Sequence, residues 1–319
     1  MRIGTWNLEN LFRPSVTDAA PTTAGAYEAK LAALAATITA LDPDALAVQE
    51  VGDPDALQDL LDLLDGSWTA EVAGPDGRGI RVGCISRLPL SVVAQVTSFP
   101  AGLQPVQVGD HGETMDAMGR PALHVRIGDG ADALDLVSTH LKSKLLTFPG
   151  GRFGPRDEGE RARYAVYALH RRAAEAAAVR DAVTHLLADP DDGPRRRLLV
   201  AGDLNDEPEA ATTQILLGPG GSEIGTAGFD RPDAGDAARL WNLAPLIPED
   251  QRFSRIYRGR HELIDHLLVS HALVGTVRSV TTGGPTAVAA TPSVADDPDL
   301  RRNAPGSDHR PVVATLAPL

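Results

Sequence analysis

The chain has 319 residues, 43% of them hydrophobic, a single cysteine and a formal net charge of -13 at pH 7. That composition excludes a generally basic protein that coats nucleic acid, a disulfide framework and a thiolate metal cage. No apolar run reaches the roughly 18 residues a membrane helix needs, so no membrane partner is expected.

The acidic balance does not exclude nucleic acid as a substrate, because screening limits the reach of distant carboxylates to about 8–10 Å. Length alone would allow about two domains. Neither a linker nor an internal repeat interrupts the chain, however, and a single domain over 1–319 is expected. Met1-Arg2-Ile3-Gly4-Thr5-Trp6 enters a strand-like run at once, without the succession of a secretory signal, which makes a cytoplasmic address the expectation. Cys84 reads as a buried, inert thiol.

In chain order, a strand from about Met1 to Leu8 ends in the polar cluster Asn7-Leu8-Glu9-Asn10. A loop with Pro14, Pro21 and Gly25 follows, then a helix to about Leu41 whose Leu31, Leu34, Ile38 and Leu41 keep helical spacing. Asp42-Pro43-Asp44 stops it, and Ala45 to Val51 is a buried strand ending in Gln49-Glu50. Asp53-Pro54 starts a short helix through Leu57, Leu60, Leu61 and Leu64. From Trp68 to Val96 short runs, among them Arg81–Ser86 and Leu90–Val93, read as antiparallel strands. Pro121–Arg126 and Leu134–Ser138 continue the sheet around a turn at Gly128-Asp129-Gly130, and the latter leads into Thr139-His140.

A Gly/Pro-containing excursion, Leu145 to Gly159, precedes a long helix from about Glu160 to Leu187 with Val166, Leu169, Ala173, Ala176, Val179, Val183 and Leu186 as its buried face. After a loop at Asp189–Arg197, the apolar run Leu198-Leu199-Val200-Ala201 breaks off into Gly202-Asp203-Leu204-Asn205. If strand geometry persists that far, Asp203 and Asn205 point into one space. Gly218 to Asp236 is an irregular loop, and two last strands, Leu263–Val269 and Pro311–Leu316, flank a long loop, Gly283 to Gly306, of functional or mobile character.

The strand tips thus carry Asn7, Glu50, His140, Asp203, Asn205, Asp265, Asp308 and His309. One such residue alone is a turn residue or a satisfied structural group. Their repetition at strand ends points to one shared crevice. Oxygen ligands without cysteines favour a hard cation, Mg²⁺ before Mn²⁺, over zinc. A histidine beside an acid, with a second acid to orient it, offers proton transfer to or from water. Phosphate-binding Gly-Lys-Ser/Thr loops, dinucleotide turns and nucleophile elbows are absent from the sequence.

The ordered motifs Thr5-Trp6-Asn7-Leu8, Val48-Gln49-Glu50, Ser138-Thr139-His140-Leu141, Gly202-Asp203-Leu204-Asn205, Ile264-Asp265-His266 and Ser307-Asp308-His309-Arg310-Pro311 resemble those of the endonuclease/exonuclease/phosphatase superfamily, the fold of deoxyribonuclease I and exonuclease III. The resemblance implies an α/β, four-layer αββα sandwich of two mostly antiparallel sheets with the site at one sheet edge. It implies Glu50 as the main metal ligand with Asn7 and Asp308 close by, and His309, oriented by Asp265, acting on water or a phosphate oxygen. Asp203 would position the water or protonate the leaving group, Asn205 would hold the phosphate, and His140 would face it; which residue is the base, and whether one metal or two, stays open. His140 stands where abasic-site endonucleases carry Tyr, and Ala201 and Asp206 around Gly-Asp-x-Asn depart from the inositol-polyphosphate phosphatase pattern. The run His140-Leu141-Lys142-Ser143-Lys144 is similar to that of nuclease-like bacterial members.

Between Lys142 and Arg180 nine Lys/Arg face four acids, a local balance of +5. Helical arginines there read as a solvated face, whereas Lys142, Lys144, Arg152 and Arg156 are candidates for gripping phosphate, with Lys142, Lys144 and Arg156 joining Asn205 and His140 as expected substrate contacts. The expected function is a divalent-metal-dependent phosphodiesterase, nuclease-like, with a phosphoester, possibly nucleic acid, as partner and no obligate protein partner. A phosphomonoesterase or small-molecule phosphodiesterase is the first alternative; a catalytically silent binding module is the other.

Overall fold

The structure, a computed structural model, describes residues 1–130, 133–229, 231–283 and 301–318. Its strands are β1 (Arg2–Leu11), β2 (Ala45–Val51), β3 (Thr69–Val72), β4 (Arg81–Ser86), β5 (Leu90–Ser98), β6 (Val106–Gln107), β7 (Thr114–Met115) and β8 (Ala117–Ile127) in the first part of the chain. The rest are β9 (Leu134–His140), β10 (Leu198–Asp203), β11 (Leu240–Asn242), β12 (Arg255–Tyr257), β13 (Arg260–Glu262), β14 (Asp265–Ser270), β15 (Val277–Thr282) and β16 (Val312–Leu316). The helices are α1 (Ala24–Leu41), α2 (Pro54–Leu61), α3 (Glu158–Leu187), α4 (Ala211–Leu217) and α5 (His271–Val274).

Twelve of the strands form two six-stranded sheets, ordered β15-β16-β1-β2-β4-β3 and β11-β14-β10-β9-β8-β5. Alternation along each central strand sorts side chains between two interfaces. On β2, Ala45 and Ala47 point into the layer between the sheets while Leu46 and Val48 point outward. On β10, Leu199 and Ala201 point inward and Leu198 and Val200 outward. The inner layer also holds Ile3, Cys84, Leu136 and Leu267. Outside the first sheet lie Leu31, Leu34 and Ile38 of α1 with Leu57 and Leu60 of α2. Outside the second lie Ala176, Val179 and Val183 of α3 with Leu216 of α4. The result is helix, sheet, sheet, helix: a four-layer α/β sandwich.

Local chemistry fixes the helix ends. Thr23 caps α1 by accepting the Ala26 N–H, and Asp42 ends it in a left-handed conformation. Asp53 followed by Pro54 starts α2. Asp157 accepts the Glu160 N–H at 2.8 Å and starts α3, two residues earlier than its apolar spacing predicts. Among the described residues no helix is long and apolar enough to cross a membrane.

Some expectations are corrected. As far as Glu175, α3 turns Glu160, Tyr164, Arg172 and Glu175 inward, so Val166 and Leu169 are exposed, at 46% and 42%, and Ala173 is half-buried. Arg172 and Glu175 take inner positions because they bond the backbone of Lys142 and Gly119, Glu160 because it accepts from Arg152 and the Arg156 N–H, and Tyr164 packs on Phe148. β4 and β5 are antiparallel to their neighbours yet lie in different sheets, since the chain crosses over between them. β11, β15 and the β12–β13 hairpin are additional to the two last strands expected. Most of the long loop at Gly283–Gly306, residues 284–300, lies outside the described residues.

Candidate active site

Each sheet has one parallel pair near its middle, β1 with β2 and β9 with β10. Parallel neighbours end at the same edge, so Asn7 and Glu50 emerge together from one sheet and His140 and Asp203 from the other. β14 runs antiparallel to β10 and begins at Asp265, directly opposite Asp203 in register. Asp308 and His309 arrive just before β16, next to β1.

The backbone departs from regular geometry at this edge. Seven described non-glycine residues have positive φ, and four of them, Glu9 (50°), Asn10 (50°), Glu50 (58°) and Asn205 (54°), lie here. Such left-handed residues are costly and persist only where surroundings impose them. The imposing bonds are visible: the Asn10 N–H donates to Glu50 Oε2 at 2.9 Å and the Glu9 N–H to Asn7 Oδ1 at 2.9 Å. Strand geometry ends at Asp203, and Asn205 takes a left-handed conformation beyond it. Its N–H donates to Asp203 Oδ1 at 2.8 Å, and its amide Nδ2 donates to Leu141 O at 3.0 Å.

Asp203 Oδ2 is the centre of the arrangement. Asn7 Nδ2 donates to it across the seam between the sheets at 3.0 Å, His140 Nε2 lies 3.5 Å away and His309 Nε2 4.0 Å away. His309 Nδ1 meets Asp265 Oδ2 at 2.7 Å, and its Nε2 is 3.9 Å from Asp308 Oδ1. Asp203, Asp265, His140, Asp308 and His309 are all buried. Two polar atoms among them, His140 Nδ1 and Asp265 Oδ1, have no hydrogen-bond partner among the described residues. Unpaired buried polar atoms are costly, and a bound water, an ion or a catalytic role is the usual reason for one.

Burial, followed by the Asp265 charge, raises the Asp203 pKa to about 7. Burial alone would lower that of His309, but the carboxylates of Asp265, Asp308 and Asp203 outweigh it and raise the pKa to about 10. His140 moves the opposite way, well below its ordinary value, because it is buried and faces the Arg120 guanidinium. At neutral pH the site therefore holds an imidazolium, a neutral imidazole and a carboxyl group close to its titration point.

Two groups of side chains here offer metal ligands. Asp203, Asp265 and His309 place one ligand atom each within 4.8 Å of one another. The same three side chains could hold a metal ion or pass a proton between imidazole and carboxylates. Glu50, Asp308 and Asn7 are the second, the oxygen set that the family resemblance implies and that suits a hard cation. Asn7 Nδ2 also donates to Glu50 Oε1 at 3.3 Å, while its Oδ1 accepts the Glu9 N–H.

The sequence-selected basic residues have internal partners. Lys142 Nζ donates to Ser143 O at 2.9 Å and Leu145 O at 2.7 Å and Lys144 pairs with Asp206 at 3.2 Å, whereas Arg156 is held through its backbone N–H alone, which donates to Glu160. Glu175 accepts the N–H groups of Lys142 and Gly119, and Arg172 donates to Lys142 O at 3.1 Å, bracing the segment after His140. Sequence reasoning missed Glu9, which pairs with Arg301 and accepts the Asp308 N–H at 2.8 Å, and buried Lys30, which donates to Gly306 O at 2.8 Å. Lys30 was legible only as a charge inside the apolar face of α1.

Residues 4–309 match the family model described as the Endonuclease/Exonuclease/phosphatase family. No curated protein sequence matches the chain. Solved structures are similar over nearly its whole length. Truncated TDP2 from Caenorhabditis elegans has a TM-score of 0.56 at 16% identity, covering 99% of this chain and 97% of that one. A mannosyl-6-phosphatase from Bacteroides thetaiotaomicron has a TM-score of 0.56 at 16% identity, covering 99% of both chains. The 3'-5' exonuclease of Neisseria meningitidis has a TM-score of 0.53 at 17% identity, covering 99% of this chain and 100% of that one. At these identities the likeness is one of fold.

Proposed function

Because the chain belongs to the Endonuclease/Exonuclease/phosphatase family, we propose that it is a divalent-metal-dependent phosphodiesterase of nuclease-like type that hydrolyses by direct attack of water. The observation that carries this reading is the placement of His309, held by Asp265 at 2.7 Å through one nitrogen and turned toward Asp203 at 4.0 Å with the other. Asp203, with a pKa near the working pH, takes a proton from the attacking water. His309, kept cationic, donates from Nε2 to a phosphoryl oxygen whose charge grows in the transition state. Neutral His140 donates to the same phosphate or to the leaving oxygen, and the second N–H of the Asn205 amide reaches the phosphate. Mg²⁺ or Mn²⁺ held by Glu50, Asp308 and Asn7 would neutralise phosphoryl charge when bound.

A monoesterase on the same scaffold is the competing reading, since the mannosyl-6-phosphatase overlaps the chain as fully as the exonuclease does. One assay separates them: purified protein with Mg²⁺, Mn²⁺ or EDTA against plasmid, single-stranded oligonucleotides, bis-nitrophenyl phosphate and nitrophenyl phosphate. Diester turnover abolished by EDTA is the expected result. Turnover of the monoester alone would replace the proposal with the phosphatase reading, and full activity in EDTA would overturn the metal dependence.

A further inference from the structure

Beside the site stands a cationic hairpin with no role in the chemistry above. β12 and β13 pair Arg255 with Glu262, Ile256 with His261 and Tyr257 with Arg260. Arg258 and Gly259 make the turn with φ of 48° and 76°, the two-residue geometry hairpins favour. The hairpin is fastened to the catalytic strand: Arg255 bridges the His309 backbone, and the Arg310 N–H donates to Ser254 O at 2.6 Å. The Ser254 hydroxyl accepts the N–H groups of Ile264 and Asp265, both at 3.1 Å.

Paired residues of a hairpin share a face, and alternate residues along a strand share it too. Arg255, Glu262, Tyr257 and Arg260 therefore lie on one face, and it is the face that meets the site, because Arg255 Nε is 3.7 Å from Asp308 Oδ2. The opposite face is packed: His261 stacks on Phe253 with centroids 3.9 Å apart, and the Arg310 guanidinium covers the same ring at 4.4 Å.

Two observations point to a ligand on the site-facing side. Arg255 Nε is buried with no hydrogen-bond partner among the described residues, since 3.7 Å to Asp308 is too long for one. Tyr257 is half-buried, with the guanidinium carbons of Arg255 and Arg258 each 5.4 Å from its ring centroid, so ring and cation are ordered together. Exposed Arg260 stands opposite Tyr257. The basic stretch after His140, by contrast, spends its charge internally, in pairs such as Lys144 with Asp206, Arg152 with Glu160, Arg163 with Asp110 and Arg171 with Glu175.

We propose, building on the phosphodiesterase reading, that this hairpin binds the flank of a single-stranded nucleic acid whose scissile phosphate sits at His309. Arg255 takes the phosphate oxygen that its Nε lacks. About 7 Å further along, two residues of strand, Tyr257 stacks an unpaired base and Arg260 meets the next phosphate. A ligand that satisfies both rows must repeat its anion and carry a planar ring; a nucleotide chain does, and a phosphosugar does not. A base must be unstacked from its neighbours to lie on the ring, which favours a single strand over a duplex.

Fluorescence anisotropy of a short labelled oligothymidylate, measured in EDTA over a range of salt, tests the assignment with full-length protein. Tyr257→Ala is expected to weaken binding roughly tenfold. Arg260→Glu is expected to weaken it and to flatten the dependence of log affinity on log salt by about 0.7, with Arg260→Lys restoring the slope. Thermal melting of each variant checks that it is folded, and the two positions serve as independent tests. Equal affinity in wild type and both variants, no binding by wild type, or equally tight binding of a duplex of the same length would each overturn the proposal. Turnover of bis-nitrophenyl phosphate with Mg²⁺ is measured in parallel: oligonucleotide binding without turnover sinks the hydrolase reading alone, and turnover without binding sinks the hairpin assignment alone.

Discussion

Asp203 has three nitrogen neighbours around one oxygen, and their protonation states define a window for activity. Its raised pKa keeps it protonated, and unable to accept a proton, below about 7; His309 loses the proton it must donate above about 10. The pH profile of kcat/KM on bis-nitrophenyl phosphate is thus expected to rise through the first value and fall through the second. Asp203→Asn and His309→Gln should each lower kcat at least ~10²-fold, and Asp203→Asn should also abolish the rising limb. Wild-type rates in either variant would refute these roles. The strand-tip residues were legible in the sequence because each stands at or near the end of an apolar run, most of them following it and Asp308 and His309 preceding it. Glu9, Lys30, Arg301 and Arg255 were not, because their meaning lies in partners such as Asp308 and Gly306, hundreds of positions away in most cases.

Among the elements, β10 depends on one close approach. A Cβ at Gly202 would lie 1.9 Å from Thr139 O on parallel β9, and a backbone carbonyl in a central strand cannot yield. Gly202→Ala should cost about 3 kcal/mol or more in denaturant unfolding, with activity lost alongside. At the far end of β9, buried Asp135 accepts from His124 Nε2 at 3.0 Å and Arg196 at 2.9 Å. Burial would raise its pKa, but these partners outweigh it and hold the carboxyl below the ordinary range. Its stabilisation is therefore complete above about pH 4 and disappears as pH falls through the lowered value. Asp135→Asn should cost about 3 kcal/mol at pH 7 and much less near pH 2, a difference read from urea midpoints. Central strands were legible from unbroken apolar runs. β5 was legible only in part, since most of its residues are exposed and the sequence holds no sign that it crosses to the other sheet. The stretch of α3 up to Glu175 misled because Val166 and Leu169 are apolar yet face out, while Arg172 and Glu175 are charged yet face in.

In the molecule as a whole, the layer between the sheets is filled partly by small residues, Ala45, Ala47, Cys84 and Ala201, all fully buried. Layered architecture was readable from alternating strand and helix patterns and from the motif order; the distance between layers was not, since it depends on how side chains from remote strands interdigitate. That distance has a chemical meaning here, because the Asn7 bond to Asp203 joins one sheet to the other at the reaction centre. Ala47→Val or Ala201→Val should cost only about 1–3 kcal/mol in stability. A displacement near 1 Å between the two halves of the site can cost on the order of 10²-fold in rate, so kcat should fall further than the melting temperature implies. The enzyme then works as a caliper whose jaws are the two sheets. Heating or pressure that loosens the grip would silence turnover while the chain is still folded, and inactivation followed beside circular dichroism should show the first transition ahead of the second.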